Sequence, residues 1–284
     1  MDIDCVELMC MEAEEERRAF PDPVLLKDER VMERLLKSED RYLPSHPPFQ
    51  FQKDVKPYML KIVLSWMLEV SEEQKCEDDV FPLASNYMCR VLAVMQVPRR
   101  QLQLVGAVCL FIASKLKETT PLSAEKLVMY TDYSVQLAEI TEMEMVVLFR
   151  LKWDLSAITP NDFLDQILDR LKPGDLKRIK RYAQTYIALC STEFKFASMP
   201  PSLVSSASLA TALRAIETEW SAEAVFARLQ SITGIEADCL RHHQEQIEAE
   251  VVQFLTFNSS DKSSPPPKSD EGPTTPTDIR DIVY

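Results

Sequence analysis

The passage from Met59 to Glu118 constrains the fold of this chain more than any other part of the sequence. It contains long apolar runs of helical character: MLKIVLSWMLEV from Met59, EDDVFPLASNYMCR from Glu77 and LQLVGAVCLFIASKLKE from Leu102. Each run is too apolar to be stable alone in water, so the runs must pack on one another. No catalytic motif interrupts them. The passage therefore predicts a helical binding module.

Glycine is scarce, with only 4 residues in a chain of 284. Tight β-hairpins and phosphate-cradling loops both depend on glycine, because its backbone adopts conformations that other residues avoid. The scarcity predicts an all-α fold and argues against a nucleotide-binding loop. The length fits one large domain or two domains of ordinary size.

Proline and glycine divide the chain into one N-terminal helix and two sets of five helices. The N-terminal helix is predicted over residues 24–42. The first set is predicted at about 55–71, 79–95, 98–115, 122–131 and 136–152. The second is predicted at about 160–171, 174–191, 201–217, 220–231 and 235–256, opened by the hydroxyl cap and proline of Thr159-Pro160-Asn161-Asp162.

Composition then predicts four segments. Residues 1–23 form an acidic, flexible N-terminus, and residues 24–154 form the first helical domain with its preceding helix. Residues 155–257 form the second helical domain. Residues 258–284 are rich in serine and proline, cannot build a core and are predicted to be disordered.

The net charge is −13, and residues 1–16 carry seven acidic and no basic side chains. A protein that binds a phosphate backbone needs clustered lysine and arginine, so nucleic acid is not an expected partner. The acidic N-terminus has two readings from charge alone. It is either a solvated segment or a docking segment.

The seven cysteines are scattered without a CxxC pair, which is typical of a reducing compartment, the cytosol or nucleus. No leader or membrane-spanning run is evident, so a soluble protein without a membrane partner is expected. Cys239 with His242 or His243 offers two metal ligands on one helix face. A structural zinc site needs four, and neither a metal nor another cofactor is expected.

Several phrases carry a family resemblance. They are WMLEV from Trp66, VFPLA from Val80, ASKLKET from Ala113, YTD from Tyr130, LKWDL from Leu151 and AQTYIALC from Ala183. The passage from Met59 to Trp153 resembles a cyclin box, and closely that of D-type cyclins. The resemblance implies two tandem five-helix cyclin-box domains and a non-catalytic subunit. Such a subunit activates a G1-class cyclin-dependent kinase, directs phosphorylation of retinoblastoma-type pocket proteins and promotes the G1/S transition.

The resemblance also implies roles for residues within the first domain. Lys115 and Glu144 match the lysine and glutamate that hold the kinase; an alternative is that the two side chains merely pair with each other. The substrate-docking groove is carried over onto Met59, Ile62, Val63, Trp66, Glu69, Leu102 and Gln103. The spacing of the first four also suits a helix buried in a core. Leu60 and Cys89 depart from the arginine and aspartate usual in the family.

The two ends of the chain carry short motifs whose meaning comes from the resemblance. Leu8, Cys10 and Glu12 fit the L-x-C-x-E pattern of ligands for retinoblastoma-type pocket proteins. Thr275, before a proline, matches a threonine whose phosphorylation marks the protein for nuclear export and ubiquitin-mediated destruction. Kinase inhibitors and ubiquitin-ligase machinery are implied as further partners, with residence in nucleus and cytoplasm.

Two other hypotheses remain open at this point. The chain is alternatively a kinase-independent adaptor that binds pocket proteins or transcription regulators, a reading kept open by Leu60 and Cys89. A relative of the general transcription factors with a cyclin fold is disfavoured by the acidic charge, since it would present a basic patch.

Overall fold

The computed structural model of the chain describes residues 22–45, 48–216 and 220–260. Within these ranges the regular secondary structure consists of helices. The first eight helices are α1 (Pro23–Lys27), α2 (Glu29–Ser38), α3 (Pro48–Phe51), α4 (Pro57–Glu73), α5 (Val80–Val94), α6 (Leu102–Lys117), α7 (Ala124–Tyr130) and α8 (Leu137–Arg150). The remaining helices are α9 (Pro160–Leu171), α10 (Leu176–Ser191), α11 (Phe194–Ala197), α12 (Pro201–Ala215), α13 (Ala222–Thr233) and α14 (Ala237–Ser260).

Two helical bundles make up the described structure. The N-terminal bundle (α4–α8) has a core that includes Leu64, Tyr87 and Leu110, all fully buried. The C-terminal bundle (α9, α10 and α12–α14) has its own core around Phe163 and Tyr186. The prediction of two tandem all-α domains is confirmed. The helix α14 ends at Ser260, a few residues beyond the predicted start of the tail.

The single helix predicted over residues 24–42 was wrong in one respect, because the chain breaks at Asp28. This residue has an extended backbone, with φ −78° and ψ 112°, and its carboxylate accepts a hydrogen bond from the Arg30 backbone N–H. Asp28 therefore ends α1 and caps the N-terminus of α2. A 3₁₀ turn, Glu39–Tyr42, completes the segment.

Side-chain hydrogen bonds join the two bundles. Thr159 and Asp162 form the predicted cap of α9, with the Thr159 N–H donating to Asp162 Oδ2 at 2.6 Å. The Ser85 hydroxyl of α5 donates to the Ser191 carbonyl of α10 at 2.7 Å. The Asn161 amide donates to the Asp78 carbonyl at 2.9 Å. The Ser85 and Asn161 bonds, one buried and one half-buried, fix the orientation of α10 and α9 against α5 and the residues just before it.

The segment before α3 clamps the C-terminal bundle. Met32 of α2 is buried in the core of that bundle. The Glu39 carboxylate accepts hydrogen bonds from the Ser202 backbone N–H and hydroxyl, both at 2.8 Å, at the N-terminus of α12. A carboxylate there satisfies an otherwise unpaired N–H and meets the positive end of the helix.

The buried Glu39 clamp makes stability depend on pH. Burial raises the pKa of Glu39 above its ordinary value, against the opposing effect of the Ser202 bonds. The native state therefore holds a proton more readily than the unfolded chain. The contribution of Glu39 to stability is greatest below the ordinary carboxyl pKa and is lost as pH rises through the raised value. We expect Glu39→Gln, which has no charge to bury, to gain stability relative to wild type as pH rises.

Urea unfolding of both proteins between about pH 4 and pH 8 measures this trend. Glu33→Gln is the control, because a hydrogen bond from Lys37 lowers the pKa of Glu33 and the trend should have the opposite sign. A free-energy difference between Glu39→Gln and wild type that stays constant across the range would contradict the expectation.

Candidate functional site

Lys115 and Glu144 lie together on the surface of the N-terminal bundle, where α6 packs against α8. Lys115 Nζ is 2.7 Å from Glu144 Oε1, and the side chains are 43% and 17% exposed. The same ammonium group lies 3.8 Å from the centroid of the Phe111 ring. Lys115 and Glu144 therefore bond to each other, as the alternative to a kinase contact supposed. The pair is partly exposed, so a partner can reach it.

Exposed apolar side chains occur on the same two helices as this ion pair and directly after α8. Met145, Phe149 and Trp153 follow one another at intervals of four residues, and Phe149 and Trp153 are 73% and 62% exposed. Leu116, at the end of α6, is also exposed. Aromatic and methionine side chains are enriched at the centres of protein interfaces. We call this surface the α6–α8 face: Lys115, Leu116, Glu144, Met145, Phe149 and Trp153.

The apolar members of the α6–α8 face were not singled out by sequence reasoning. A signal was present, because α8 also carries Ile140, Val147 and Leu148 on its buried side. When a helix has apolar residues on two sides, one side can pack in the core and the other can contact a partner protein. Which side faces the core becomes clear only once α6 and α8 are packed.

The predicted docking groove lies where α4 crosses α6. A Cβ atom placed on Gly106 would be 2.7 Å from Val63 Cγ1, so the glycine allows the two helices to approach closely. Leu102 and Gln103 lie about one turn earlier on α6. We call the predicted set of seven residues the α4–α6 groove.

The seven residues of the α4–α6 groove divide by burial into a floor and a rim. Val63 and Leu102 are buried, while Met59, Trp66 and Gln103 are half-buried. Ile62 and Glu69 are exposed, and Ile62 is 62% exposed. Partial burial raises the pKa of the Glu69 carboxyl. The groove thus offers an apolar floor with one acidic residue at its edge.

Trp66 is held in place by the end of α7. Its indole N–H donates to the Tyr130 carbonyl at 3.3 Å, and the Tyr130 hydroxyl accepts from the Gln74 amide at 2.5 Å. A half-buried tryptophan with its N–H satisfied keeps a fixed ring orientation. Tyr58, one turn before Ile62, is also exposed and extends the apolar surface. Sequence reasoning did not single out Tyr58 as a site residue.

Leu60 and Cys89, the two departures from the family pattern, are both fully buried in the core of the N-terminal bundle. Burial raises the pKa of the Cys89 thiol to about 12, so the side chain is neutral. Neither position strands a charge in the core, which would cost about 3–5 kcal/mol. The expectation that folding tolerates the double replacement is supported by this arrangement.

The remaining predictions concern motifs and sites elsewhere in the chain. Leu8, Cys10, Glu12 and Thr275 lie outside the described residues. Among the residues that are described, no group of three or more histidine, cysteine, aspartate or glutamate side chains is placed to hold a metal. None of the helices in these ranges combines the length and hydropathy that a bilayer crossing requires.

Comparison with known proteins places the two bundles in context. The family described as "Cyclin, N-terminal domain" matches residues 30–156, and "Cyclin, C-terminal domain" matches residues 158–265. The chain is 48% identical to G1/S-specific cyclin-D2 of Mus musculus over 288 residues, covering 98% of this chain and 99% of the relative. It is 46% identical to G1/S-specific cyclin-D3 of Homo sapiens over 290 residues, with the same shares covered.

A solved structure shows the same architecture. The X-ray structure of a viral cyclin from herpesvirus saimiri matches with a TM-score of 0.70 and 26% sequence identity. The match covers 78% of this chain and 98% of the viral chain. The two bundles are therefore similar in arrangement, as well as in sequence, to those of proteins already known.

Proposed function

This chain belongs to the cyclin family as a homologue of the D-type, G1/S-specific cyclins, and on that premise we propose that it binds and activates a G1-class cyclin-dependent serine/threonine kinase. A cyclin is a non-catalytic regulatory subunit, so the chemistry belongs to the kinase. The observation that carries the proposal is the α6–α8 face, where α6 and α8 carry a partly exposed ion pair together with several exposed apolar side chains.

The α6–α8 face suits a partner that presents an amphipathic helix. Phe149, Trp153 and Met145 supply apolar area that gains free energy when it leaves water. A protein kinase is active only when its αC helix is held inward so that its own lysine–glutamate pair forms. A cyclin that packs its α6–α8 face on that helix stabilises the active arrangement without taking part in phosphoryl transfer.

The ion pair gives the contact its register. The Lys115–Glu144 pair is partly exposed, and such pairs contribute only about 0–1 kcal/mol. Exchanging the mutual bond for bonds to charged groups of the kinase therefore costs little. In the middle of an apolar contact, two opposite charges at fixed positions reject a shifted alignment of the partner.

The α4–α6 groove is proposed to bind an extended docking segment of substrates or inhibitors. Apolar side chains of such a segment would cover Ile62 and the half-buried Met59 and Trp66. Glu69 would face a basic residue of the segment, consistent with the family's preference for arginine-containing peptides. Cys89 and Leu60 lie in the core beneath and leave the exposed members of the groove in place.

A retinoblastoma-type pocket protein is proposed as the substrate that the N-terminal motif recruits. In an extended strand, alternate side chains point to the same side, so Leu8, Cys10 and Glu12 would enter one surface together. Phosphorylation of Thr275 would add about −1.5 to −2 charge and strong acceptors for a ubiquitin-ligase receptor. The complex would work in the nucleus and leave for the cytoplasm before destruction.

The decisive experiment is reconstitution with a G1-class cyclin-dependent kinase and a C-terminal fragment of a retinoblastoma-type protein. We expect the purified chain to form a stable heterodimer and to raise the rate of phosphorylation well above that of the kinase alone. A folded chain that neither binds nor stimulates any G1-class kinase would overturn the proposal.

A charge placed in the α4–α6 groove should separate docking from activation. We expect Ile62→Asp to weaken phosphorylation of a substrate with a docking segment about tenfold, which corresponds to about 1.4 kcal/mol of lost binding. Because Ile62 is largely exposed, stability should change by no more than about 0.5 kcal/mol.

Steady-state kinetics with a long substrate and with a short peptide that lacks the docking segment would measure this effect. Activity toward the short peptide should stay unchanged. Val252→Asp, at another exposed apolar position on α14, is the matched control. Equal losses for both substrates in Ile62→Asp would reject the groove as a docking site.

A kinase-independent adaptor is the second candidate function, favoured by the altered residues Leu60 and Cys89 next to the groove. Its distinguishing property is binding to a pocket protein, through Leu8, Cys10 and Glu12, when no kinase is present. Retention of that binding in a variant that has lost the kinase would favour the adaptor role.

A further inference from the structure

The helix α10 is the most basic element of an acidic protein. It carries four basic side chains, Lys177, Arg178, Lys180 and Arg181, and no acidic one. Residues 165–181 together hold six basic and three acidic side chains, a net charge of +3, in a chain whose net charge is −13. This cluster of positive charge on one helix is opposite in sign to the net charge of the protein. We call its four residues, Lys177, Arg178, Lys180 and Arg181, the α10 basic face.

The α10 basic face points away from the core. Ile179 and Ala183 are fully buried on the inner side of the helix, whereas Lys177, Arg178 and Arg181 are exposed. Lys180 turns toward α9, where its Nζ is 2.6 Å from Asp165 Oδ1. The face lies at the N-terminal half of α10, where the helix dipole adds to the positive potential.

The residues that follow the acidic N-terminal segment are anchored on α9, the helix against which α10 packs. The Leu25 carbonyl accepts a hydrogen bond from the Gln166 amide, and the Leu26 carbonyl accepts one from Arg170, both at 3.3 Å. Asp165, which holds Lys180, is the neighbour of Gln166 in α9. The chain preceding Asp22 is therefore attached to α1, which packs on α9, and α9 also packs on α10.

We propose that residues 1–16 dock on the α10 basic face of their own chain. The segment carries seven acidic and no basic side chains, which makes it the electrostatic complement of α10. Glu16, its last residue, precedes Asp22 by six residues, and an extended chain of that length reaches about 20 Å. Asp22 caps α1, which packs on α9, and α9 packs on α10; two spacings of about 8–10 Å between helix axes give about 16–20 Å, which is within this reach.

The short linker between residues 1–16 and Asp22 makes weak contacts sufficient for docking on α10. Each exposed ion pair contributes about 0.2–1 kcal/mol, but a linker of this kind holds the segment at an effective concentration in the millimolar range. Docking does not rest on the proposed function, whereas its consequence does. Leu8, Cys10 and Glu12 lie within the docked segment, so a pocket protein would have to compete with α10 for it.

Zero-length carbodiimide cross-linking of the full chain, which joins a carboxylate to a lysine in direct contact, tests the docking. We expect links from the acidic residues of 1–16 to Lys177 and Lys180, in excess over links to two exposed lysines elsewhere, Lys53 before α4 and Lys75 after it. Raising the salt to about 1 M shortens the screening length to about 3 Å and should lower the yield severalfold. An even spread of links over all exposed lysines, or no effect of salt, would overturn the proposal.

Matched variants sharpen the result. Lys177→Gln, Arg178→Gln and Arg181→Gln together remove three charges from α10, and the same change at Lys53, Lys56 and Lys75 removes three charges elsewhere. Links to Lys180 should disappear only in the first variant. A mixture of ¹⁵N-labelled and unlabelled chains distinguishes docking within one chain from contact between two, and links that join two chains would refute docking in cis.

Binding to a pocket protein gives the second readout. The α10 variant should bind about three- to tenfold more tightly than wild type, while the matched control should not change. Absence of pocket-protein binding in all three proteins would overturn the proposed recruitment and leave the cross-linking result to decide the docking. Unchanged affinity in the α10 variant, when wild type does bind, would refute the competition.

Discussion

Replacing Lys115 with glutamate is expected to abolish the stable complex with the kinase. In the native structure the ammonium group lies 2.7 Å from Glu144, so Lys115→Glu places two carboxylates side by side in the α6–α8 face. Both would be desolvated when the partner binds. Truncating or reversing one member of a charge pair in an interface costs about 2–5 kcal/mol or more, a loss of at least about thirtyfold in affinity.

A charge swap separates two explanations for that loss. The double variant Lys115→Glu with Glu144→Lys restores the mutual ion pair but reverses the charges offered to the kinase. If the pair only supports the packing of α6 against α8, the double variant should bind the kinase normally. Direct contact with the kinase predicts that binding stays lost.

Co-purification and size-exclusion chromatography with the kinase measure the outcome. Lys53→Glu, an exposed reversal far from α8 in the sequence, is the control for net charge. Undiminished co-purification of Lys115→Glu would reject the assigned contact.

Adding a single methyl group at Gly106 is expected to destabilise the N-terminal bundle. The new Cβ would meet Val63 Cγ1 at 2.7 Å and Met67 Sδ at 3.1 Å, and the branched valine has little freedom to move aside. Overpacking of this kind costs about 1–3 kcal/mol. Relief requires α4 to shift away from α6, so Gly106→Ala should also weaken docking at the α4–α6 groove.

Urea unfolding of four proteins tests this close approach: wild type, Gly106→Ala, Val63→Ala and the double variant. Removing the two Val63 methyl groups makes room for the new one, so the double variant should be more stable than the sum of the single effects predicts. Gly174→Ala is the control, since a Cβ there meets nothing within 4 Å. Additive effects at positions 63 and 106 would show that the contact does not limit stability.

The sequence predicted the long helices well and the local breaks poorly. Apolar periodicity and proline placement located α4, α5, α6 and α9 to within a few residues. The four-residue helices α3 and α11 were not predicted, because one turn is too short to show a period. The break at Asp28 was missed since the apolar spacing continues across it, and only the cap of α2 by its carboxylate interrupts the helix.

The candidate site was predictable in part. Lys115, Glu144 and the groove residues came from the resemblance to cyclins. The structure pairs Lys115 with Glu144 and buries Val63 and Leu102 of the groove set, and the roles of all these residues stay predictions. Phe149 and Trp153 were not assigned, because exposure of an apolar residue depends on how α8 rotates against α6. The role of Gly106 depends on the distance between two backbones, which no residue pattern reports.

Met32 comes before the N-terminal bundle in the sequence but packs in the core of the C-terminal bundle. A segment that precedes the N-terminal bundle fills part of the core of the C-terminal one, and Glu39 caps α12 within it. Cutting the protein at the linker near residue 157 would therefore not yield two independent halves. The C-terminal fragment would have a gap in its core where Met32 packs and an uncapped N-terminus of α12. Residues 22–42, supplied as a separate peptide, should fill that gap and cap that helix.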